Sequence, residues 1–187
     1  MNEEANTPEA YTMDDVTRTF VLHWGEMGSR WGISRTVAQI HALLYIAPRP
    51  LHAEQITSAL SLARSTVSTS LRELQGWGVI RLVHVLGDRR DHFEALDDVW
   101  EMFRLVLDER KRREVDPTVD LLRDGVEQAK GKAGGEQTYL KLAELLEFFE
   151  AISTLYEKTR SVPTGVFKRL VRSGDRVREL VNASHEG

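Results

Sequence analysis

The middle of the sequence holds two short helical segments separated by only three residues, and this spacing strongly limits the possible folds. The segments are residues 52 to 60 and residues 64 to 75, with Ser61-Leu62-Ala63 as a tight turn between them. Apolar residues recur in both at three- or four-residue steps, as expected for amphipathic helices. They are Ile56 and Leu60 in the first segment and Val67, Leu71 and Leu74 in the second. Two short helices joined in this way predict a helix-turn-helix.

A β-hairpin is predicted directly after the second of these helices. Gly76-Trp77-Gly78 ends the helix, and residues 79 to 86 are then rich in β-branched and apolar side chains. The Gly-Asp-Arg-Arg sequence at 87 to 90 indicates a turn, and residues 91 to 95 are predicted to form a second short strand. The hairpin would therefore be attached to the helix-turn-helix as a wing.

Two helices are predicted on the N-terminal side of this unit. Residues 1 to 12 are expected to be a flexible tail, and a first helix is predicted from 13 to 31. A second helix is predicted to begin after Ser34, a typical N-cap residue, and to end at Pro48 and Pro50. The apolar stripe of the first helix consists of Val16, Phe20, Trp24, Met27 and Trp31.

The C-terminal half is also predicted to be helical. After a cap at Asp97 or Asp98, a helix begins at Val99 and runs into the charged segment at 109 to 114, and Pro117 is expected to bend or restart it. An interhelical loop is predicted at 131 to 135, and a last helix runs from about 161 to about 172. Between them lies an apolar seam of Leu142, Leu145, Phe149, Ile152 and Tyr156.

The helices from 99 to 172 carry more apolar surface than the small helix-turn-helix unit can cover. A second copy of the chain is expected to cover the surplus, since most soluble oligomers are symmetric dimers. The predicted fold is mainly α, a winged helix-turn-helix with additional N- and C-terminal helices forming a dimerisation region. The predicted domains are the tail at 1–12, the winged helix-turn-helix at 13–97, which shares its first helix with the dimer region, and the dimerisation region at 98–187.

The second helix of the helix-turn-helix has the side chains of a DNA-reading helix. Such a helix enters the major groove and presents small hydrogen-bonding groups and Arg to the base edges. The candidate residues lie in the first turn or opposite the apolar stripe, and they are Arg64, Ser65, Thr66, Ser68, Thr69 and Arg72. A merely solvated surface is the simpler interpretation, but Ser and Thr are weak helix formers for that purpose. The pattern favours DNA recognition.

The tip of the hairpin adds three charged candidates. Arg89 and Arg90 could contact phosphates or enter a minor groove, and Asp88 could orient one guanidinium through a bidentate pair. Charge at a hairpin tip often serves solubility alone. The connection of this hairpin to the preceding helix favours a DNA contact.

Composition excludes several classes of function. The chain is 41% hydrophobic and 29% charged, no apolar run could span a membrane, and the acidic start is unlike a signal peptide, so a cytoplasmic location is expected. The lack of cysteine excludes thiolate metal sites and thiol catalysis. Common enzyme motifs are absent, so neither an enzyme nor a cofactor is expected.

The net charge is −4, but residues 33 to 94 are net positive, with 7 basic and 5 acidic side chains.

From the helix-turn-helix through GWGVIRLVHVLGDRRDHFEALDDVWEMF to ERKRREVDP, the sequence resembles winged-helix regulators of the MarR superfamily. It is most similar to the branch named for the glycine-betaine-synthesis repressor. The resemblance covers about residues 13 to 172 and implies a homodimer on a palindromic operator, a wing pair matching Asp88 and Arg90, and a small-molecule effector. The sequence departs from the pattern at Ala63, where a helix-capping Ser is expected.

Aromatic and histidine residues offer two further hypotheses. Because the resemblance implies choline-like effectors, and aromatic faces attract quaternary ammonium groups, Trp24, Trp31 and Trp100 are candidate effector-binding residues. Core or dimer packing is the commoner role for such tryptophans. His84 and His92 flank the hairpin turn and could approach each other, but no acidic partner at metal-binding spacing accompanies them, so no metal site is predicted.

These patterns together predict a sequence-specific DNA-binding transcriptional regulator. Repression is the expected mode, since a dimer bound to its operator blocks polymerase without further parts. The alternative is a winged helix that serves as a protein–protein interaction module, with the polar face from Arg64 to Arg72 docked on a partner protein.

Overall fold

The computed structural model describes residues 11–132, 134–160 and 162–172. The chain divides into two compact units, with the boundary in sequence between Leu105 and Val106. The elements in order are α1 (Asp15–Arg30), α2 (Arg35–Ile46), β1 (Leu51–His52), α3 (Ala53–Leu60), α4 (Arg64–Trp77), β2 (Ile80–Val83), β3 (His92–Ala95), α5 (Val99–Arg110), a π-helical turn (Lys111–Val115), α6 (Asp116–Ala129), α7 (Glu136–Arg160) and α8 (Thr164–Arg172). The predicted tail at 1–12 lies largely outside the described residues.

Helix α1 packs on α2 through a different face from the one predicted. Its buried residues are Val21, Gly25 and Gly28, and an added Cβ at Gly28 would stand 2.5 Å from the Ala38 Cβ. The two glycines allow the helices to approach closely. The predicted stripe from Val16 to Trp31 was wrong as a core face, because its first and last residues are exposed, Trp31 by 51%, and the three between them are half-buried.

Helix α2 forms the centre of the first unit. Almost every residue from Val37 to Leu44 is buried, since neighbouring elements cover the helix on several sides. Ser34 stands at the predicted N-cap position but its side chain makes no capping hydrogen bond. At the start of α1 the capping is complete, because the Asp14 carboxylate accepts a hydrogen bond from the Thr17 backbone N–H at 2.7 Å.

Helices α3 and α4 form the predicted helix-turn-helix. Ser61 ends α3 in the left-handed region with a φ of 52°, and Ala63 caps α4 without a side-chain hydrogen bond. The inward residues of the pair, Ile56, Val67, Leu71 and Leu74, are all buried. Gly78 ends α4 with a φ of 75°, a conformation that favours glycine.

The sheet has three antiparallel strands in the order β1-β3-β2, so the predicted two-stranded hairpin was incomplete. His52 was expected to begin α3, but its extended backbone instead pairs β1 with β3, opposite His92. Strand β2 ends at Val83 rather than at Leu86, because the chain turns where the Asp88 N–H donates to the Val85 carbonyl at 3.0 Å. A strand at the root of the wing therefore ties it to the helix-turn-helix.

The second unit is helical. A π-helical turn joins α5 to α6, and Pro117 lies in the first turn of α6, where its missing N–H is tolerated. The backbone remains in the right-handed helical region through this turn, so the irregularity near Pro117 is a π-helical turn and the helix does not stop there. Helix α6 packs on α7, where an added Cβ at Gly125 would meet Leu142 at 3.1 Å, and Arg123 donates to the Glu150 carboxylate at 2.8 Å.

Among the described residues, no helix combines the length and the apolar character needed to cross a membrane.

Candidate nucleic-acid interface

Five of the six predicted residues of α4 form an exposed face. Arg64, Ser65, Ser68, Thr69 and Arg72 are exposed and lie away from the buried side of the helix. The sixth residue, Thr66, is half-buried. Hydroxyl and guanidinium side chains, which can hydrogen-bond to base edges, thus share one surface of α4. The opposite side of the helix packs against the core.

The wing holds Asp88 and Arg90 as the bidentate pair that the sequence suggested. The Arg90 Nε donates to both carboxylate oxygens, at 2.8 and 3.0 Å, and Nη2 contacts Oδ2. The Arg90 backbone N–H also donates to Asp88 Oδ1, at 3.0 Å. These hydrogen bonds hold the pKa of Asp88 far below its ordinary value, so the carboxylate stays ionised. The guanidinium is therefore oriented before any ligand arrives, whereas Arg89 beside it is exposed.

Glu54 in the first turn of α3 was not recognised from the sequence, yet it lies between the two predicted surfaces. Its carboxylate is 3.7 Å from the Arg64 guanidinium and 3.8 Å from that of Arg90. No local pattern could reveal it, since the two arginines are distant in sequence and belong to other elements. One carboxylate thus lies within ion-pair distance of the start of α4 and of the wing.

A groove of about 440 Å³ lies beside this carboxylate. It runs between α4 and the base of the wing and is lined by His52, Ala53, Glu54, Arg64, Ser68, Leu71, Arg72, Gln75, Arg90, Asp91 and Phe93. Three arginines and one serine among the predicted DNA-binding residues thus border one concave surface. A phosphate-bearing backbone could enter such a groove and meet several cations together.

Two histidines support the base of the wing. His52 and His92 are buried opposite each other on β1 and β3, with their ring centroids 5.3 Å apart. The His92 Nδ1 lies 2.9 Å from the Arg90 carbonyl oxygen, and its Nε2 lies 3.5 Å from Asp88 Oδ2. Burial, followed by the charge of Arg90, lowers the pKa of His52. Both rings therefore lie at the base of the wing that carries the Asp88–Arg90 pair.

The histidine neighbours differ from those considered in the sequence. His92 packs against His52, while His84 is exposed on the hairpin. Within the described ranges, no group of three or more His, Cys, Asp or Glu side chains is arranged to hold a metal ion.

The three tryptophans proposed for an effector have different surroundings. Trp24 is half-buried and its ring packs on Phe20 at 5.5 Å between centroids, whereas Trp31 is exposed at the end of α1. Trp100 is half-buried in the first turn of α5, where its backbone N–H donates to Asp98 Oδ1 at 2.9 Å. None of the three lines the groove beside α4. Their role in effector binding stays a prediction.

Comparison with known proteins agrees with this geometry. The model of the MarR family matches residues 26–91, which contain the helix-turn-helix and the turn of the wing. The crystal structure of a transcriptional regulator superposes with a TM-score of 0.62 at 19% identity, over 82% of this chain and 99% of that one. The fold is a MarR-like winged helix.

A second structure, the transcriptional regulator Tm0710 from Thermotoga maritima, is also similar. Its TM-score is 0.37 at 20% identity, over 78% of this chain and 92% of that one. No curated protein matches the sequence. The MarR-family match points to a non-enzymatic regulator, and it supports the predicted superfamily without distinguishing a branch within it.

Proposed function

We propose that this protein is a sequence-specific DNA-binding transcriptional regulator. The observation that carries the proposal is the exposed polar face of α4 next to a preoriented wing arginine, on a MarR-like winged helix. In this proposal α4 enters the major groove, where Arg72 and the small hydroxyl side chains contact base edges. Arg90 contacts the flanking phosphates or the adjacent minor groove, since α4 already fills the major groove.

The active species is proposed to be a homodimer on a palindromic operator. Self-association is supported by apolar residues exposed on α5 and α7, including Val99, Phe103 and Phe148. Exposed apolar patches commonly mark protein–protein interfaces. A two-fold dimer presents two α4 helices to two half-sites, which requires a palindrome. Repression is the simplest outcome, since the dimer would occupy DNA that polymerase needs.

Control by a small molecule is part of the same proposal. A ligand can act only if it favours one separation of the two α4 helices over another. We place the effector near Trp24, Trp31 and Trp100, in keeping with the resemblance to the branch of the glycine-betaine-synthesis repressor. Calorimetry with choline and betaine tests this point. If these compounds produce no binding heat and do not change the DNA affinity, the tryptophans are packing residues only.

A salt titration tests DNA binding against the alternative of a protein-interaction module. An operator is first selected from random duplexes, and its affinity is measured by fluorescence anisotropy at several salt concentrations. Because phosphate contacts release counterions, the logarithm of the affinity should fall linearly with the logarithm of the salt concentration. Failure to select any duplex, or an affinity independent of salt, would contradict the proposal and favour a protein partner.

A further inference from the structure

Helix α7 carries two apolar stripes, one of them half-buried and the other exposed. The first stripe consists of Leu142, Phe149 and Tyr156, which are half-buried. Leu142 packs against α6 beside Gly125, and Tyr156 contacts Asp108 of α5 and Lys111 of the π-helical turn. A second stripe lies about 80° away around the helix. It consists of Leu145, Phe148, Ile152 and Leu155, which are 47%, 57%, 43% and 63% exposed. The seam predicted from the sequence had combined residues of both stripes.

The spacing of the exposed stripe is that of a helix-pairing seam. Its residues follow one another at steps of three, four and three, the pattern of the a and d positions of a heptad repeat. With Leu145 and Ile152 at a, and Phe148 and Leu155 at d, the stripe can interlock with the same stripe of another helix. A self-complementary surface of this kind suits a two-fold contact between identical chains.

The flanking residues distinguish the two possible orientations. In the same heptad frame Glu144, Ala151 and Lys158 occupy the g positions, all exposed on the side away from α6. In an antiparallel pair the g positions face one another. Glu144 of one copy then lies near Lys158 of the other, twice by symmetry, and Ala151 lies near its own equivalent, where a small side chain permits close approach. In a parallel pair Glu144 would instead face Phe149.

We propose that α7 is a self-association surface that pairs antiparallel with α7 of a second copy, about a two-fold axis near Ala151. This inference rests on the homodimer of the proposed function and names its contact. The charge pattern indicates that the partner of this surface is a second copy of the chain. Acidic Glu144 and basic Lys158 flank opposite ends of one stripe, so an antiparallel copy places opposite charges near each other. Glu144 also pairs with Lys141 at 2.9 Å, and both of those side chains are highly exposed, so the pair can exchange partners at little cost.

Charge reversal tests the orientation by measuring the dimer dissociation constant with sedimentation equilibrium. Glu144→Lys and Lys158→Glu should each weaken the dimer about tenfold, since each replaces two attractive pairs with two repulsive ones. The double variant should restore most of the affinity. Glu147→Lys makes the same charge change outside the seam and is the matched control. An equal effect of Glu147→Lys, or no rescue in the double variant, would overturn the antiparallel pairing.

Cross-linking gives an independent measure, because the chain has no cysteine of its own. Around an axis near residue 150, the two Ala151 positions are offset by two residues, about 3 Å along the helix, whereas the two Leu155 positions are offset by ten, about 15 Å. A short bis-maleimide should therefore join Ala151→Cys chains much faster than Leu155→Cys chains. Faster joining of Leu155→Cys would show a parallel pair and refute the proposal.

Phe148→Glu separates failure of this contact from failure of the proposed regulator. The exposed position should tolerate the change, which circular dichroism can verify, while the dimer should dissociate. A variant that remains a dimer would show that the chain dimerises through another surface, and the homodimer would stand without the α7 contact. A wild-type chain that is monomeric at high concentration would overturn both.

Discussion

His41 makes the stability of the first unit depend on pH. It lies in the middle of α2 with 7% of its surface exposed, stacked near Tyr45 at 6.4 Å between ring centroids. Its Nε2 has no hydrogen-bond partner among the described residues. Burial lowers the pKa of this imidazole from 6.5 to about 4, because the protonated ring would carry a charge away from water.

The sign and size of the effect follow from linkage. Between pH 6.5 and about pH 4 the unfolded chain binds a proton at His41 and the folded chain does not, so acidification favours unfolding. This contribution to stability is fully present above the unfolded pKa and is lost as the pH falls through that window. From about pH 7.5 to about pH 5, the pKa difference corresponds to a loss of about 2 kcal/mol in the free energy of unfolding.

Urea unfolding followed by circular dichroism at the two pH values measures this loss. His41→Gln removes the titrating group and should reduce the difference between the two unfolding free energies by about 2 kcal/mol. His23→Gln changes an exposed histidine on α1 and serves as the matched control. If His41→Gln and the wild type lose the same stability on acidification, the imidazole is not held neutral by burial and the reasoning is refuted.

Three further predictions concern DNA binding and helix packing. Arg72→Ala should weaken operator binding by about 1–3 kcal/mol and affect random DNA less, and equal losses on both in an anisotropy titration would remove it from base recognition. Arg90→Ala should weaken both DNAs by similar factors and reduce the salt slope by about one unit per lost phosphate contact, and an unchanged slope would contradict a phosphate contact. Gly28→Ala should destabilise the chain by about 1–3 kcal/mol in urea, because its Cβ would clash with Ala38, and an unchanged stability would mean that the helices can separate without cost. Gly76→Ala is its control, since that site has open space and alanine favours a helix.

The helix-turn-helix was predictable because its information is local. Val67, Leu71 and Leu74 share one side of α4, and this periodicity predicts both the helix and its buried face. The same principle identified the wrong face of α1. There Gly25 and Gly28 allow the backbones of α1 and α2 to approach closely. Because glycine has no apolar side chain, a pattern of hydrophobic residues does not reveal this contact.

Strand β1 and the position of Glu54 depend on distant parts of the chain. Two residues, Leu51 and His52, are too short a segment for a periodicity, and they form a strand only because β3 pairs with them. Glu54 lies near Arg64 and Arg90 because this pairing ties the wing to α3. The sequence could therefore predict the exposed residues of α4, but not the carboxylate beside them.

In the proposed function, the charges around the groove would allow a chain of net charge −4 to bind DNA. Arg64 and Arg90 lie 3.7 and 3.8 Å from the carboxylate of Glu54, and exposed ion pairs of this kind contribute only about 0–1 kcal/mol, so a phosphate could displace Glu54 at little cost. The Asp88–Arg90 pair differs, because it is bidentate and is reinforced by a backbone hydrogen bond. Arg90 can thus leave Glu54 and still keep its orientation. DNA binding of the proposed kind would depend on the positions at which the arginines are held, since the overall charge of the chain repels DNA.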